Sequence, residues 1–158
     1  MLTEKEKEEL KNTMHLWGSY KYILSVERSE LASIQDICKA MKDIKAMTYD
    51  GMPKSARMSK PVEEGIVNSI TLCEGRIEKL NSLIKENMLL KQKIDEIVDA
   101  LPHAEQYILK ARYVDNMSWE MMPLRIPFEM SKRHCQRFHN NALETIYNKL
   151  YRSDKSEE

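Results

Sequence analysis

The chain has 158 residues, enough for one compact domain or for a small module joined to long helices. Basic and acidic residues number 25 each, so the formal net charge is zero and any anionic partner must meet a local basic patch. Only 4 glycines and 5 prolines interrupt a composition rich in helix-favouring residues, which excludes β-sandwiches, barrels and wound α/β folds and predicts an all-α protein.

The cysteines and the apolar runs exclude further classes of protein. The sequence has an odd number of cysteines, and no two of them have paired spacing; they are Cys38, Cys73 and Cys135. This argues against a disulfide framework and against a CxxC metal site, and it favours a reduced, cytoplasmic protein. No apolar run approaches the roughly 18 to 20 residues that a membrane-spanning helix needs. The charged start of the sequence lacks the apolar core of a secretory signal, so we expect no membrane partner.

Residues 1–101 are predicted to form a long antiparallel helical hairpin, similar to a coiled coil, that serves as an oligomerisation arm. Its first helix runs from about Thr3, a suitable N-cap, to Ala46, and Gly18 is its weak point. A heptad frame through this helix places an apolar or aromatic residue at eight of ten positions. The ten positions are Leu10, Thr13, Trp17, Tyr20, Leu24, Glu27, Leu31, Ile34, Cys38 and Met41.

The second helix is predicted from Pro61, a favoured first position, to Leu101, where Pro102 ends it. Its frame is apolar at nine of eleven positions, and the polar Asn87 and Lys91 either fix register and partner number or mark a rotation of the seam. Since a single hairpin leaves apolar surface uncovered, we expect a homo-oligomer, with a dimer preferred. The frame consists of Ile66, Ile70, Cys73, Ile77, Leu80, Ile84, Asn87, Lys91, Ile94, Val98 and Leu101.

Residues 47–60 interrupt the helical pattern and are predicted to form a loop. The dipeptide Asp50-Gly51 is a turn signal, and Pro53 disfavours helix at the residue before it. Residues 154–158 are predicted to be a tail. The basic residues of the loop indicate either a solvated connector or a second phosphate contact; they are Lys54, Arg57 and Lys60.

From residue 102 to residue 153 the pattern changes to short helices. Ser118 is a good N-cap for a short second helix that contains Trp119 and Glu120. Ser131 is a good N-cap for a longer third helix. This order, with a polar face at the start of the last helix, is the layout of a helix-turn-helix DNA-binding domain. The apolar side of the third helix consists of Cys135, Phe138, Ala142, Ile146 and Leu150.

The polar side of the third helix is where we expect double-stranded DNA to bind. Residues 131–152 hold five basic residues against one acidic residue, Glu144, so this segment is basic although the chain is neutral. Arginine and lysine reach guanine edges or phosphates, glutamine and asparagine pair with adenine, and a helix N-terminus favours a phosphate. A solvated helix face is the alternative interpretation. The candidate residues are Lys132, Arg133, Gln136, Arg137 and Asn140.

Three runs of the sequence resemble a known family. Residues 111–120, ARYVDNMSWE, resemble the "LRY-x-(D/N)-G-x-S/T-W-E-E-I-A" element of phage transcriptional regulators of the ArpU/RinA type, whose DNA-binding half is similar to sigma-70 region 4. Residues 131–143 resemble that family's "S-x-R-x-V-x-R-L-H-x-x-A-L", and residues 50–54 resemble its "D-x-M-P" element. Pro123 and Pro127 depart from the family pattern, and we expect them to shorten the second helix and alter the turn.

The resemblance implies a sequence-specific DNA-binding regulator of phage or prophage genes, an activator of late or packaging genes, with host RNA polymerase as a partner. It implies that Ser131 caps the recognition helix and contacts a phosphate, and that Ser118 contacts the DNA backbone. Trp119 is expected to pin the helices together in the core. The implied DNA face consists of Lys132, Arg133, Gln136, Arg137 and Asn140.

Two alternatives stay open. A small terminase-like DNA-packaging subunit also joins a helix-turn-helix to helical oligomerisation parts, and a coiled-coil adaptor would bind protein without binding DNA. No Gly-rich phosphate loop and no Ser, His and acid arrangement stands out, so we expect no enzyme activity and no cofactor. The cluster of His134, Cys135 and His139 is a weak metal candidate, because residues 134 and 139 do not share a helical face well.

Overall fold

The structure, a computed structural model, describes residues 1–49 and 59–153. Within these residues all regular structure is helical and no strand occurs, as the composition predicts. The predicted turn at Asp50-Gly51, Pro53, the basic Lys54 and Arg57, and the tail 154–158 lie outside the described residues. The helices are α1 (Glu4–Gly18), α2 (Tyr20–Tyr49), α3 (Lys60–Asp99), α4 (His103–Tyr113), α5 (Met122–Arg125) and α6 (Lys132–Tyr147), followed by a short π-helical segment (Asn148–Arg152).

Helix α1 begins at the predicted cap, which is built from Thr3 and Glu6. The Thr3 hydroxyl accepts a hydrogen bond from the Glu6 backbone N–H at 3.3 Å, and the Glu6 carboxylate accepts one from the Thr3 N–H at 2.7 Å. This reciprocal capping box satisfies two backbone donors at the helix start. The Tyr147 hydroxyl donates to the same carboxylate at 2.9 Å, so the cap also ties the start of α1 to the end of α6.

The long first helix that the sequence predicts, with Gly18 as its weak point, is interrupted at that point and forms α1 and α2. Helix α1 ends at Gly18, and Ser19 leaves the helical conformation with φ −95° and ψ 9° before α2 begins at Tyr20. Gly18 lies directly against the backbone of α4, because a β-carbon built on it would stand 1.9 Å from the carbonyl oxygen of Tyr113. Only a residue without a side chain permits so close an approach.

Contacts divide the chain into two compact units. The first contains Met1–Ile23 and Asn87–Glu158, and the second contains Leu24–Glu86. The sequence predicts different limits, an arm over residues 1–101 and a domain over residues 102–153. The two divisions differ because α1 and the end of α3 supply apolar side chains to the core of the first unit.

The core of the first unit joins α1, α3, α4 and α6. Four of its buried residues come from residues 1–23. Burial of an apolar side chain is worth about 2 kcal/mol of transfer free energy, so these four contribute about 8 kcal/mol before the cost of chain entropy is subtracted. Helix α1 is therefore an integral part of this unit. The buried residues are Leu2, Leu10, Met14, Trp17, Ile94, Val98, Leu101, Leu109, Tyr113, Ala142, Leu143 and Ile146.

A second, smaller apolar cluster fixes α5 between α4 and α6. Half-buried aromatic and methionine side chains surround it, including Trp119 and Phe138. It sets the position of the chain between α4 and α6, although that segment has little regular structure of its own. The buried residues of this cluster are Ile108, Ala111, Met122, Ile126 and Cys135.

In the second unit, α2 and α3 cover the apolar seams that the sequence predicts. None of the predicted seam positions between residues 24 and 41, or between residues 66 and 84, is exposed. Cys38, Ile70 and Leu80 are buried. The heptad frames therefore identify the covered sides of both helices.

Two ion pairs join α2 and α3 in this unit. The Lys42 ammonium lies 2.7 Å from the Glu74 carboxylate, and the Arg76 guanidinium lies 2.5 Å from the Glu30 carboxylate. Because all four side chains are roughly half-exposed, each pair contributes less than about 1 kcal/mol. Packing of α2 against α3 therefore depends mainly on the apolar seam.

Candidate nucleic-acid interface

Helix α6 carries the residues predicted to read DNA, and it starts at the predicted cap. The backbone of Ser131 is extended, and its hydroxyl accepts a hydrogen bond from the His134 N–H at 3.3 Å. Cys135, Ala142 and Ile146 are buried, and the other two predicted inward positions are half-buried. The predicted apolar side is therefore confirmed, and the opposite side of the helix lies outside the core.

That outer side is polar and accessible. Among the residues that the structure describes, no carboxylate lies within 4.0 Å of Arg133 or Arg137. Two guanidinium groups on one face are thus available to an anion. The exposed candidates are Lys132, Arg133, Arg137 and Asn140, and Gln136 is half-buried.

Lys132 differs from the two arginines because its ammonium group pairs with the Glu120 carboxylate. This hydrogen bond holds the pKa of Glu120 below its ordinary value. Both side chains are well exposed, 50% for Lys132 and 71% for Glu120, so water and salt weaken their attraction. The pair is therefore weak.

The second helix is short, as the sequence predicts, but it begins later in the chain than predicted. Helix α5 covers only Met122–Arg125, and Trp119 and Glu120 lie in the turn before it rather than inside a helix. Ser118 still has a capping role, because its hydroxyl accepts a hydrogen bond from the Met121 N–H at 3.3 Å. Ser118 is exposed, so the predicted backbone contact lies on an accessible turn.

Two prolines explain the short helix. Pro123 occupies one of the first positions of α5, where the lack of an N–H group is tolerated. Ile126 has φ −72° and ψ 147°, the extended conformation that a following proline favours, so Pro127 ends the helix there. The sequence predicts this shortening correctly, but it places the helix too early.

Trp119 packs between α4 and α6. Its ring meets the His139 ring edge-on with centroids 5.0 Å apart, and the Arg112 guanidinium lies 4.9 Å from its centroid. Arg112 also donates a hydrogen bond to the Met117 carbonyl at 3.0 Å. These contacts agree with the pinning role predicted for Trp119, because they hold the turn before α5 against both neighbouring helices.

His139 is a buried polar residue that the sequence indicates only as a weak metal ligand. It is 3% exposed, its Nε2 lies 2.8 Å from the Tyr113 hydroxyl, and its Nδ1 lies 3.2 Å from the Asn140 amide oxygen. The network assigns the proton to Nδ1, so Tyr113 donates to Nε2. Burial lowers the pKa of His139 to about 4, which keeps the ring neutral at pH 7. Its place in the helical register, four residues after Cys135 and three before Ala142, is the signal that would have found it.

A groove of about 880 Å³ lies between α1 and the polar side of α6, and no motif in the sequence indicates it. It forms because Leu10 and Met14 anchor α1 in the core, which brings Lys7 and Lys11 beside the candidate DNA-reading residues. The lining residues are Met1, Leu2, Glu4, Lys7, Lys11, Arg133, His134, Gln136, Arg137, Asn140, Asn141, Leu143 and Glu144.

Positive charge predominates in this groove. Its two carboxylates are already engaged: Glu144 lies 3.2 Å from the N-terminal ammonium, and Glu4 lies 2.7 Å from the Lys7 ammonium. The hydrogen bond from Lys7 lowers the pKa of Glu4. Lys11 and the two arginines of α6 therefore line the groove without a described carboxylate within 4.0 Å, although the charge of Lys11 also helps to lower the pKa of Glu4.

No protein-family model, curated protein or solved structure matches this chain. Among the described residues, no group of three or more His, Cys, Asp and Glu side chains is arranged to hold a metal ion. Residues 1–49 and 59–153 also contain no helix with the length and apolarity needed to cross a membrane. The resemblance to phage regulators, and the DNA contacts assigned on it, stay predictions.

Proposed function

We propose that the protein is a sequence-specific transcriptional regulator that binds double-stranded DNA through the polar side of α6. The observation that carries the proposal is the exposed pair Arg133 and Arg137, on a capped helix whose opposite side is buried. Neither arginine has a carboxylate within 4.0 Å in the part of the chain that the structure describes. As part of the same proposal, it activates late or packaging genes of a phage or prophage and has host RNA polymerase as a partner.

Helix α6 has dimensions that suit a DNA major groove. Its 16 residues span about 24 Å, and an α-helix fits a groove that is about 12 Å wide. Arg133 and Arg137 are four residues apart and share one face with Gln136 and Asn140. The arginines pair with guanine edges or phosphates, and the two amide side chains pair with adenine. The helix start at Ser131 then lies against a phosphate.

The remainder of the proposed architecture is an antiparallel hairpin formed by α2 and α3. The order of the ion pairs supports it, because Glu30 pairs with Arg76 while Lys42, further along α2, pairs with the earlier Glu74 on α3. Residue numbers thus rise along one helix as they fall along the other. Such a hairpin has a second side to cover.

A second copy of the chain is the proposed occupant of an apolar stripe on α2. The stripe comprises Val26, Ile37, Ile44 and Met47, which are 47, 49, 47 and 67% exposed. Their spacings keep them on one side of the helix, apart from the seam that faces α3. A two-fold dimer would bring the same stripe from both copies together and bury it.

The DNA-binding proposal is tested by the double variant Arg133→Ala plus Arg137→Ala in the full chain. Each arginine–guanine pair is worth about 1–3 kcal/mol, so loss of both should weaken specific binding at least about 30-fold. Helicity should not change, because both side chains are exposed. Gel shifts with duplex fragments selected from the genomic DNA around the gene measure the affinity, and circular dichroism measures the helicity.

A matched control removes two charges elsewhere. Arg28 and Lys39 are exposed on α2, and the variant Arg28→Ala plus Lys39→Ala should bind as the wild type does. Wild-type binding should also fall steeply as salt rises, since phosphate contacts release counterions. An α6 variant with unchanged affinity, or a flat salt response, would refute the proposal.

A further inference from the structure

Lys11 of α1 lies beside the polar face of α6. It lines the groove described above and also an adjoining cavity of about 270 Å³, and Gln136 and Asn140 line both hollows as well. Its positive charge is among the influences that disfavour protonation of His139, and both residues line the adjoining cavity. Lys11 is exposed.

The surroundings of Lys11 attract an anion. No carboxylate of residues 1–49 or 59–153 lines the adjoining cavity, and Arg112 adds a second positive charge to it. In the larger groove each carboxylate forms its ion pair with another cation, and the charge of Lys11 acts on Glu4 from beyond ion-pair distance. Within the described residues, Lys11 has no carboxylate within 4.0 Å. Cations gathered around one hollow repel each other, and a bound polyanion relieves that repulsion.

We propose that Lys11 contacts a DNA backbone phosphate while α6 occupies the major groove, so that α1 forms one wall of the DNA-binding surface. This inference rests on the proposed function. A phosphate contact from a neighbouring helix fixes how the recognition helix is oriented on the duplex, and it carries no sequence information of its own. An acidic protein segment is the competing occupant of the same groove.

The test compares Lys11→Gln with Lys5→Gln in the full chain. Lys5 lies on the same helix, is 88% exposed and is absent from the groove lining, so it is a matched loss of one charge. Fluorescence anisotropy with the specific duplex and with an unrelated duplex is measured over a range of salt concentrations.

Loss of one phosphate contact lowers the slope of log affinity against log salt by about 0.9, which is about eightfold in affinity at 0.1 M salt. We expect Lys11→Gln to show this loss on both duplexes, because a phosphate contact does not read sequence. Lys5→Gln should match the wild type, and Lys11→Arg should keep the wild-type slope.

The outcomes separate this inference from the proposed function. If the Arg133 and Arg137 double variant loses binding but Lys11→Gln keeps the wild-type affinity and slope, the Lys11 contact is wrong and the DNA-reading role of α6 stands. If the double variant keeps its affinity, the proposed function fails. If Lys11→Gln leaves DNA binding intact and abolishes binding of a poly-glutamate peptide, the groove belongs to a protein partner.

Discussion

At the scale of single residues, the buried pair of Tyr113 and His139 is the feature that responds to pH. Burial raises the pKa of Tyr113 to about 12 and lowers the pKa of His139 to about 4, so both are neutral over the physiological range. Lys11 and Arg112 lie nearby, and their charges oppose protonation of the imidazole further. A proton on His139 would therefore introduce a buried charge beside other cations.

We predict that the free energy of unfolding falls as pH drops from about 6.5 to about 4. The unfolded chain binds a proton at His139 near pH 6.5 and the folded chain only near pH 4, so the unfolded state holds more protons in this window. Full protonation would cost about 3 kcal/mol. Urea unfolding at pH 7 and pH 4.5 measures this dependence.

The matched variants are His139→Gln, which cannot titrate, and His134→Gln, which removes an exposed histidine. The first should lose most of the pH dependence, and the second should retain it. Equal pH dependence in His139→Gln and in the wild type would show that this histidine is not the responsible group.

At the scale of elements, the junction between α1 and α2 depends on the absence of one side chain. Gly18 touches the α4 backbone at Tyr113, whereas Gly65 and Gly75 have open space where a β-carbon would lie. All three glycines sit in helices, but only Gly18 is constrained by tertiary packing. The approach of α1 to α4 is therefore set at this position.

We predict that Gly18→Ala destabilises the protein by about 3 kcal/mol, because the new methyl group forces two backbones apart in a packed core. Gly65→Ala and Gly75→Ala should be neutral or stabilise by up to about 1 kcal/mol, since alanine favours helix. Chemical unfolding curves give the three values. A Gly18→Ala variant as stable as these two would contradict the close approach.

Sequence patterns that involve only a few neighbouring residues predict where helices begin and which side of each helix is buried. Thr3 and Ser131 cap α1 and α6 as predicted, because a cap needs only its own side chain and the next turn. The turn after α4 depends on Asn116, whose φ of 51° lies in the left-handed region. Asparagine tolerates this region better than most residues, and the resembling family motif has glycine at this position.

Packing contacts between helices that are far apart in the sequence cannot be predicted from such local signals. The pattern of Leu10, Met14 and Trp17 is the same whether α1 packs along a hairpin or against α4 and α6. The seam frame therefore identifies Leu10 and Trp17 but misses the buried Met14, and it assigns α1 to an arm, whereas packing of α1 in the first unit also creates the Lys11 groove. The burial of His139 follows from the same tertiary contacts.

At the scale of the whole molecule, a neutral chain keeps its charges unevenly distributed. The formal net charge is zero, yet five cationic groups face two carboxylates in the groove between α1 and α6. A local electrostatic potential of this kind, rather than the net charge, determines how a protein binds a polyanion. The stripe on α2, by contrast, is apolar, and a second copy of the chain is its proposed occupant.

We predict that the wild type is a dimer and that Ile37→Lys plus Ile44→Lys makes it monomeric, because charged side chains cannot be buried without partners. The control, Gln35→Lys plus Ala46→Lys, adds the same charge at exposed positions on another side of α2 and should stay dimeric. Analytical ultracentrifugation measures the masses. A monomeric wild type would contradict the dimer, and a ring of eight or more chains would favour the terminase-like alternative.

The core shared by Leu10 and Ala142 has a consequence for biosynthesis. A ribosome adds about 5–20 residues per second, so a delay on the order of ten seconds separates the emergence of these two side chains. During that interval α1 is too short to be a stable helix by itself, and its apolar side is open to water. We therefore expect chaperones to bind the nascent polypeptide until α6 has left the exit tunnel.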